Sequence, residues 1–391
     1  MLNSEWKIVP LCEAAEICDS QRKPINSKER LARINGKTQA DLFPYYGATG
    51  LVGFIDEYIT DGEYVLLGED GAPFLSAFSK KAYIITGKAW VNNHAHVLRS
   101  KGNNNFLCFY LNYFNYKGYV SGTTRLKLTQ AQMKAIPVPV PPLNEQERIV
   151  ARIEELFSEL DNGVETLKTV KEQLKVYRQA VLREAFHTAA EKEACQFGDT
   201  ILEKPRNGYS PKGVVYPTKY KNLTLTSTTS GHFKAGCFKY IDIDIDEGSY
   251  LWVKHNDILI QRANTIEYVG MSVLYQGEDN QYVYPDLMMR CHAKDGIIPQ
   301  FLVYQLQSPA CKNHFRRYAT GTAGSMPKIN QKTVMTAPII MTSYEEQERI
   351  VKEIDARLSI CDEIEQTVDT ALQQAEALRQ SILKKAFEGS L

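Results

Sequence analysis

Hydrophobic and polar positions follow two different patterns along this chain of 391 residues. Over 144–187 and 345–388 the apolar side chains recur in steps of three and four. In the first stretch they run Ile149, Ile153, Leu156 and Leu160 through Leu174, Tyr177, Val181 and Ala185. In the second they run Ile350, Ile354, Leu358, Cys361 and Ile364 through Leu378 and Ile382. That period predicts two long helices, each with a coiled-coil seam. Both stretches lack proline and are rich in Glu, Gln, Lys, Arg, Ala and Leu, which favour helix. Elsewhere the apolar residues come in short runs bounded by turn residues. YVLLG, AYIIT, DILI and MSVLY predict strands, with helix expected around Phe106–Phe114 and Gln300–Tyr318.

The two helical stretches repeat one another. EQERIV stands at 145–150 and again at 346–351, and at this constant offset of 201 the segments 145–186 and 346–387 share 17 of 42 residues. Matches include Ile153/Ile354, Asp161/Asp362, Arg178/Arg379 and the closing Ala-Phe pairs. The approach is shared too, with Gln130/Gln331 and Pro137/Pro338 in register. Duplication accounts for this, and the prolines predict an extended lead into each helix. A rod of about 60 Å is too long for a domain of about 145 residues to cover. The partner of each seam is therefore expected to be the other helix. Chain continuity then makes the pair antiparallel, with a globular domain at each end and an approximate twofold.

Net charge is zero, but it is distributed in blocks. Lys plus Arg against Asp plus Glu is 16 to 12 over 1–143, 7 to 10 over 144–191, 17 to 13 over 192–343 and 6 to 11 over 344–391. Two basic domains alternate with two acidic helices. Basic domains at fixed separation suit a DNA duplex, with phosphates giving affinity and groove contacts giving sequence. A scaffold with two carbohydrate- or protein-binding domains is the alternative. The absence of a long apolar run and of a signal-like start predicts a cytoplasmic protein. The eight scattered cysteines form no CxxC pair, so reduced and mostly buried thiols are expected.

Motifs for catalysis are missing. No DPPY or NPPY occurs, Asn35-Gly36-Lys37-Thr38 has Leu31 where a phosphate loop needs glycine, and Pro285-Asp286 is followed by no acid before Lys294 in the manner of a nuclease. His94 and His96 form an HxH without companion ligands, expected on one face of one strand. Asp242, Asp244 and Asp246 alternate with isoleucine as on a solvated strand face.

These strings carry a resemblance. PVPPLNEQERIVARIEELFSELD, EEQERIVKEIDARLSICDEI, LREAF and LKKAFEGSL resemble the DNA-specificity subunit of type I restriction-modification systems. So do YYGATGLVGFIDEY, YVLLGEDG and WVNNHAHVLR in the first domain, and DILIQRANTIEYVG and YPDLMMR in the second. The resemblance implies an α+β fold of two mixed α/β target-recognition domains, at 1–143 and 192–343, joined by spacer helices at 144–191 and 344–391. It implies double-stranded DNA as ligand, with two modification subunits that methylate adenine and restriction subunits that translocate and cut. S-adenosylmethionine, ATP and magnesium are expected on those partners, and no cofactor or metal on this chain.

For DNA contact the segments 122–130 and 320–331 stand at matching places before each helix and mix glycine, hydroxyls and bases. Thr123, Thr124, Arg125 and Lys127, with Thr322, Ser325 and Lys328, are the candidates there, the alternative being an ordinary glycine turn. Tyr45, Tyr46, Thr49, Asn92, Asn93 and His94 in the first domain are further candidates, as are Arg206, Arg262, Asn264 and Tyr268 in the second. Arginine can pair with guanine and asparagine with adenine.

Overall fold

Prolines lead into both long helices. Pro137–Val140 pairs antiparallel with Lys7–Pro10, and Pro338–Met341 pairs the same way with Glu193–Gln196. These two-stranded ribbons tolerate proline because each strand has a free edge. The long helices follow at Leu143–His187 and Tyr344–Phe387. The computed structural model describes residues 6–189, 192–321 and 326–391.

The chain divides into two units, Met1–Thr169 with Val368–Leu391, and Val170–Thr367. Each long helix is thus shared between units, and within each unit the start of one helix lies with the end of the other. In the first unit Ile149, Val150 and Ile153 enter one core with Ile382, Leu383, Ala386 and Phe387. In the second, Val181, Leu182 and Ala185 enter one core with Ile350, Ile354 and Leu358. Ile149, Ile153, Ile350 and Ile354 are at most 1% exposed, and burying each such side chain contributes about 1.5–3 kcal/mol.

The repeated residues do the same work in both units. Arg178 donates to Asp362 at 2.6 Å and to Glu365 at 3.0 Å in the second unit, while Arg379 pairs with Asp161 in the first. Each arginine therefore meets the aspartate of the other copy, which fixes an antiparallel register. The glutamines of EQERIV are buried clasps. Gln146 accepts from Asn103 N at 3.0 Å and donates to Pro141 O at 2.9 Å. Gln347 accepts from Ile298 N at 3.0 Å and donates to Thr342 O at 3.0 Å. Glu145–Arg148 and Glu346–Arg349 form bidentate pairs across the first turn. The closing phenylalanines also correspond. Phe387 is ringed by Phe106, Tyr110 and Tyr113, and Phe186 meets Phe301 edge-on.

The seam differs from its sequence reading at three positions. Tyr177, Ile364 and Leu378 are 40–49% exposed. Two helices cover only a strip of one another, so apolar side chains on the flanks of that strip stay in water.

Duplication extends to a four-stranded antiparallel sheet in each unit. The order is Ala15–Ile17, Ala95–Ser100, Tyr64–Gly68, Ala82–Ile85 in the first, and Arg206–Asn207, Met288–His292, Asp257–Gln261, Ser272–Leu274 in the second. YVLLG and DILIQ are buried at every position, as inner strands with both faces covered. Helix Asn104–Tyr113 packs on the first sheet and Pro299–Gln307 on the second. Helix forms where it is expected around Gln300–Tyr318, in two pieces, Pro299–Gln307 and Pro309–Tyr318. Pro309 forces Ser308 into an extended conformation, φ −67° and ψ 159°, which breaks the helix.

The remaining sheets differ between the units. The first unit has Gly50–Ile55, Phe43–Gly47, Lys88–Val91 and Thr60–Asp61, with one parallel pairing. The second has Gly213–Val214, Phe238–Ile241 and Tyr220–Leu223. Strand Phe238–Ile241 ends before Asp242, contrary to the strand expected there. Asp242, Asp244 and Asp246 nevertheless face out while Ile245 is buried, and Tyr216 and Tyr220 hydroxyls donate to Asp242 and Asp244.

Candidate nucleic-acid interface

Each unit carries one loop closed by a two-way backbone exchange. Ser121 and Lys127 exchange N–H···O bonds of 3.0 and 2.8 Å, and Thr320 and Lys328 exchange bonds of 2.8 and 2.9 Å. Lys127 and Lys328 occupy the same place at the offset of 201. Both loops dock on the end of the buried inner strand, through Leu128 N to Glu69 O at 2.7 Å and Ile329 N to Arg262 O at 2.9 Å. Immediately after, Thr129 caps a short helix by accepting from Gln132 N, and Asn330 does so by accepting from Thr333 N. Backbone ties on both sides fix the base of each loop.

In the first unit Thr123, Thr124, Arg125 and Lys127 are exposed. Gly122 has φ +102°, and a Cβ there would strike the Arg125 carbonyl, so the tip requires glycine. Arg125 donates to Asp70 at 2.9 Å, His94 Nδ1 stands 2.7 Å from Asp70 Oδ1, and Lys127 lies 3.3 Å from Glu69. Arg22 bonds Glu69 and the Asn93 carbonyl. The fold thus gathers Arg125, Lys127, His94 and Asn93, and adds Arg22, Glu69 and Asp70. The EDG that follows YVLLG was the available signal for these acids, since the loop docks on the residue that ends that strand.

Two other candidates, Tyr45 and Asn92, are buried. Tyr45 is 5% exposed in a core with Ile55 and Trp90, beneath Arg30. Asn92 is 6% exposed and accepts from His94 N at 2.8 Å, which shapes the Asn93-His94 turn. Tyr46 is half-buried against Tyr83. Thr49 is exposed at the hairpin between Phe43–Gly47 and Gly50–Ile55. The two histidines do not share a strand face: His94 precedes the strand Ala95–Ser100, and His96 lies inside it, fully buried.

In the second unit Lys328 is exposed, Arg262 is half-buried with its guanidinium toward the Asp286 carbonyl, and Ser210 bonds Asp286. Arg206 is exposed and stacks 3.7 Å above Tyr250. Asn264 spends its side chain locally, donating to Gln261 at 2.6 Å and accepting from Thr265 N at 2.7 Å. Tyr268 neighbours Lys175 on the first long helix instead of joining the loop. Thr322 and Ser325 lie outside the described residues. Arg262 stands where the first unit has Glu69, so Lys328 has an arginine at the position where Lys127 has an acid.

Among the described residues no group of three His, Cys, Asp or Glu is placed to hold a metal, and no helix is long and apolar enough to cross a membrane. Cys18, Cys108, Cys291, Cys311 and Cys361 are buried and Cys12 is exposed.

Duplicated sheets presenting basic glycine loops, with long helices shared between them, define a class of two-unit proteins suited to bipartite contacts with a polyanion. Residues 3–175 match the family model for the type I restriction modification DNA specificity domain. A Haemophilus influenzae chain named as a type I restriction enzyme specificity subunit is 28% identical over 388 residues, covering 95% of this chain and 92% of the relative. The type I restriction enzyme EcoKI specificity subunit of Escherichia coli is 27% identical over 288 residues, covering 69% of this chain and 61% of the relative. A solved structure described as the basis of complex assembly and conformational transition of the type I R-M system superposes with TM-score 0.69 at 18% identity, over all of both chains. The chain is thus similar over nearly its whole length to a specificity subunit of a type I restriction enzyme, and residues 3–175 match the DNA specificity domain of such systems.

Proposed function

We propose that this chain reads a bipartite DNA target, each unit contacting one half-site through its basic loop. The observation that carries the proposal is the pair of matching loops, ending at Lys127 and Lys328 on equivalent strand ends. Thr123, Thr124, Arg125 and Lys127, with Lys328, Arg262 and Arg206, are the side chains best placed for phosphates and base edges. The recognition domains are assigned to 1–143 and 192–343, and the spacer to 144–191 and 344–391. The half-sites differ, because the units share little sequence outside their closing segments. The family match favours this reading over a carbohydrate- or protein-binding scaffold.

In this proposal the chain catalyses nothing and works in the cytoplasm. It directs two modification subunits, which bring S-adenosylmethionine, and restriction subunits, which bring ATP and magnesium. The acidic helices keep the spacer off DNA and offer docking surface. Mapping methylated adenines in the host genome tests the proposal, with a spaced, asymmetric motif as the expected result. A continuous motif that disappears on deletion of this gene overturns it.

A further inference from the structure

The fold splits the HxH of WVNNHAHVLR into an outer and an inner histidine, and the inner one has a role not yet assigned. His96 is fully buried, with Nδ1 2.8 Å from Asp19 Oδ2 and Nε2 3.0 Å from the carbonyl of Leu128. A carbonyl oxygen only accepts. Asp19 is ionised: burial acts to raise its pKa, but hydrogen bonding and charge from His96, with the Val97 N–H and the Gln130 amide, hold it down at about 2. Both ring nitrogens therefore face acceptors, and both bonds form only when each nitrogen carries a proton.

The charged groups around the ring are few. Glu69 Oε2 lies 3.9 Å from Nε2. Arg22 reaches Asp19 at 3.2 Å and also bonds Glu69. Lys127 lies 3.3 Å from Glu69, and Gln130 donates to Asp19 at 2.9 Å. Leu128 directly follows the residue that closes the first loop, so His96 ties the base of that loop to Asp19.

The second unit replaces this tie with an apolar one. Leu67 is opposite His96 and Ile260 is opposite Met289 in equivalent strands, so Met289 takes the place of His96. Met289 is fully buried in one core with Ile329, the counterpart of Leu128.

We infer that His96, as an imidazolium bridging Asp19 to the Leu128 carbonyl, is the positioning residue of the first loop. Half-site reading by the first unit then requires a proton that reading by the second does not. Without its second proton the ring turns a lone pair toward an acceptor. The remaining N–H stays with the charged carboxylate, and the Leu128 tie is released. Arg125 and Lys127 then lose their fixed base, and discrimination at one half-site falls.

The inference rests on the DNA reading proposed above, and two measurements on the full chain separate the two. Nitrogen NMR of histidine-labelled protein near neutral pH, with the His96 signal assigned by its loss in His96→Asn, should show two protons on that ring. A single proton overturns the inference whatever the DNA result. The second measurement uses a duplex carrying the motif mapped from methylated adenines, and two duplexes altered in one half-site each, at constant ionic strength. The first unit's half-site is the one whose discrimination falls in Arg125→Ala. In His96→Asn, which cannot donate to both acceptors, discrimination there should drop about tenfold or more and stay level at the other half-site. Equal change at both half-sites, or none at either, overturns the positioning role. Absence of duplex binding defeats the DNA reading itself and leaves the NMR result to decide the proton state.

Discussion

Gly122 sits at φ +102° against the Arg125 carbonyl, so Gly122→Ala should distort the first loop at a cost of about 1–2 kcal/mol. DNA affinity measured by fluorescence anisotropy should fall while the second loop's discrimination persists. Lys127→Ala and Lys328→Ala should each weaken binding across all sequences and reduce the slope of log affinity against log salt by about one; an unchanged slope would remove that lysine from the interface. Asp19 gives a pH signature of stability. Its folded pKa of about 2 lies below the ordinary 3.8, so its contribution, about 2 kcal/mol, is present above the unfolded value and lost as pH falls through about 2. Urea unfolding of the wild type and Asp19→Asn should converge in acid and separate near neutrality. Residue type in the sequence marked the loop in which Arg125 and Lys127 stand exposed, because glycine with bases before a cap is a local pattern. Tyr45 and Asn92 carried the same chemistry but face inward, and which side of a pleat faces the core is decided by packing that spacing alone does not reveal. Glu69, Asp70 and Arg22 went unmarked because the acids meet the loop, and Arg22 meets Glu69, only across 47 residues of chain or more.

The helical elements were legible because period, proline and repeat all pointed the same way. The strands YVLLG and DILI were legible as apolar runs with turn residues at their ends. Helix around Gln300–Tyr318 was legible as well, and Pro309 marks the point at Ser308 where it divides. What the repeat did not disclose is why the glutamine recurs. Gln146 and Gln347 each satisfy two backbone groups from inside the fold, and a Cβ on Gly102 would fall 2.6 Å from the Gln146 carbonyl oxygen. Gln146→Ala and Gln347→Ala should each cost about 1–3 kcal/mol in thermal or urea unfolding, whereas a surface change at Glu147 should be near neutral. The cross-helix pairs make a further expectation specific. A fragment ending near residue 190 contains both Asp161 and Arg178, so two copies can supply each other's missing partners. Sedimentation should find a dimer, and Asp161→Arg should weaken it; a strictly monomeric fragment at high concentration would contradict the helix pairing.

At the scale of the whole molecule, the two units differ in how the chain is threaded through them. The second is one continuous stretch, Val170–Thr367, while the first is closed by the last residues of the chain, Val368–Leu391. Phe387 is fully buried among Phe106, Tyr110 and Tyr113, and losing so large a core side chain in Phe387→Ala should cost about 3–5 kcal/mol. Domains generally fold as units as they emerge during synthesis. The first unit to be translated therefore cannot complete its core until Val368–Leu391 has been made, by which time the second can already be folded. Order along the gene and order in time are reversed. A released chain truncated at residue 367 should hold a protease-resistant second unit beside a first unit that protease still cuts.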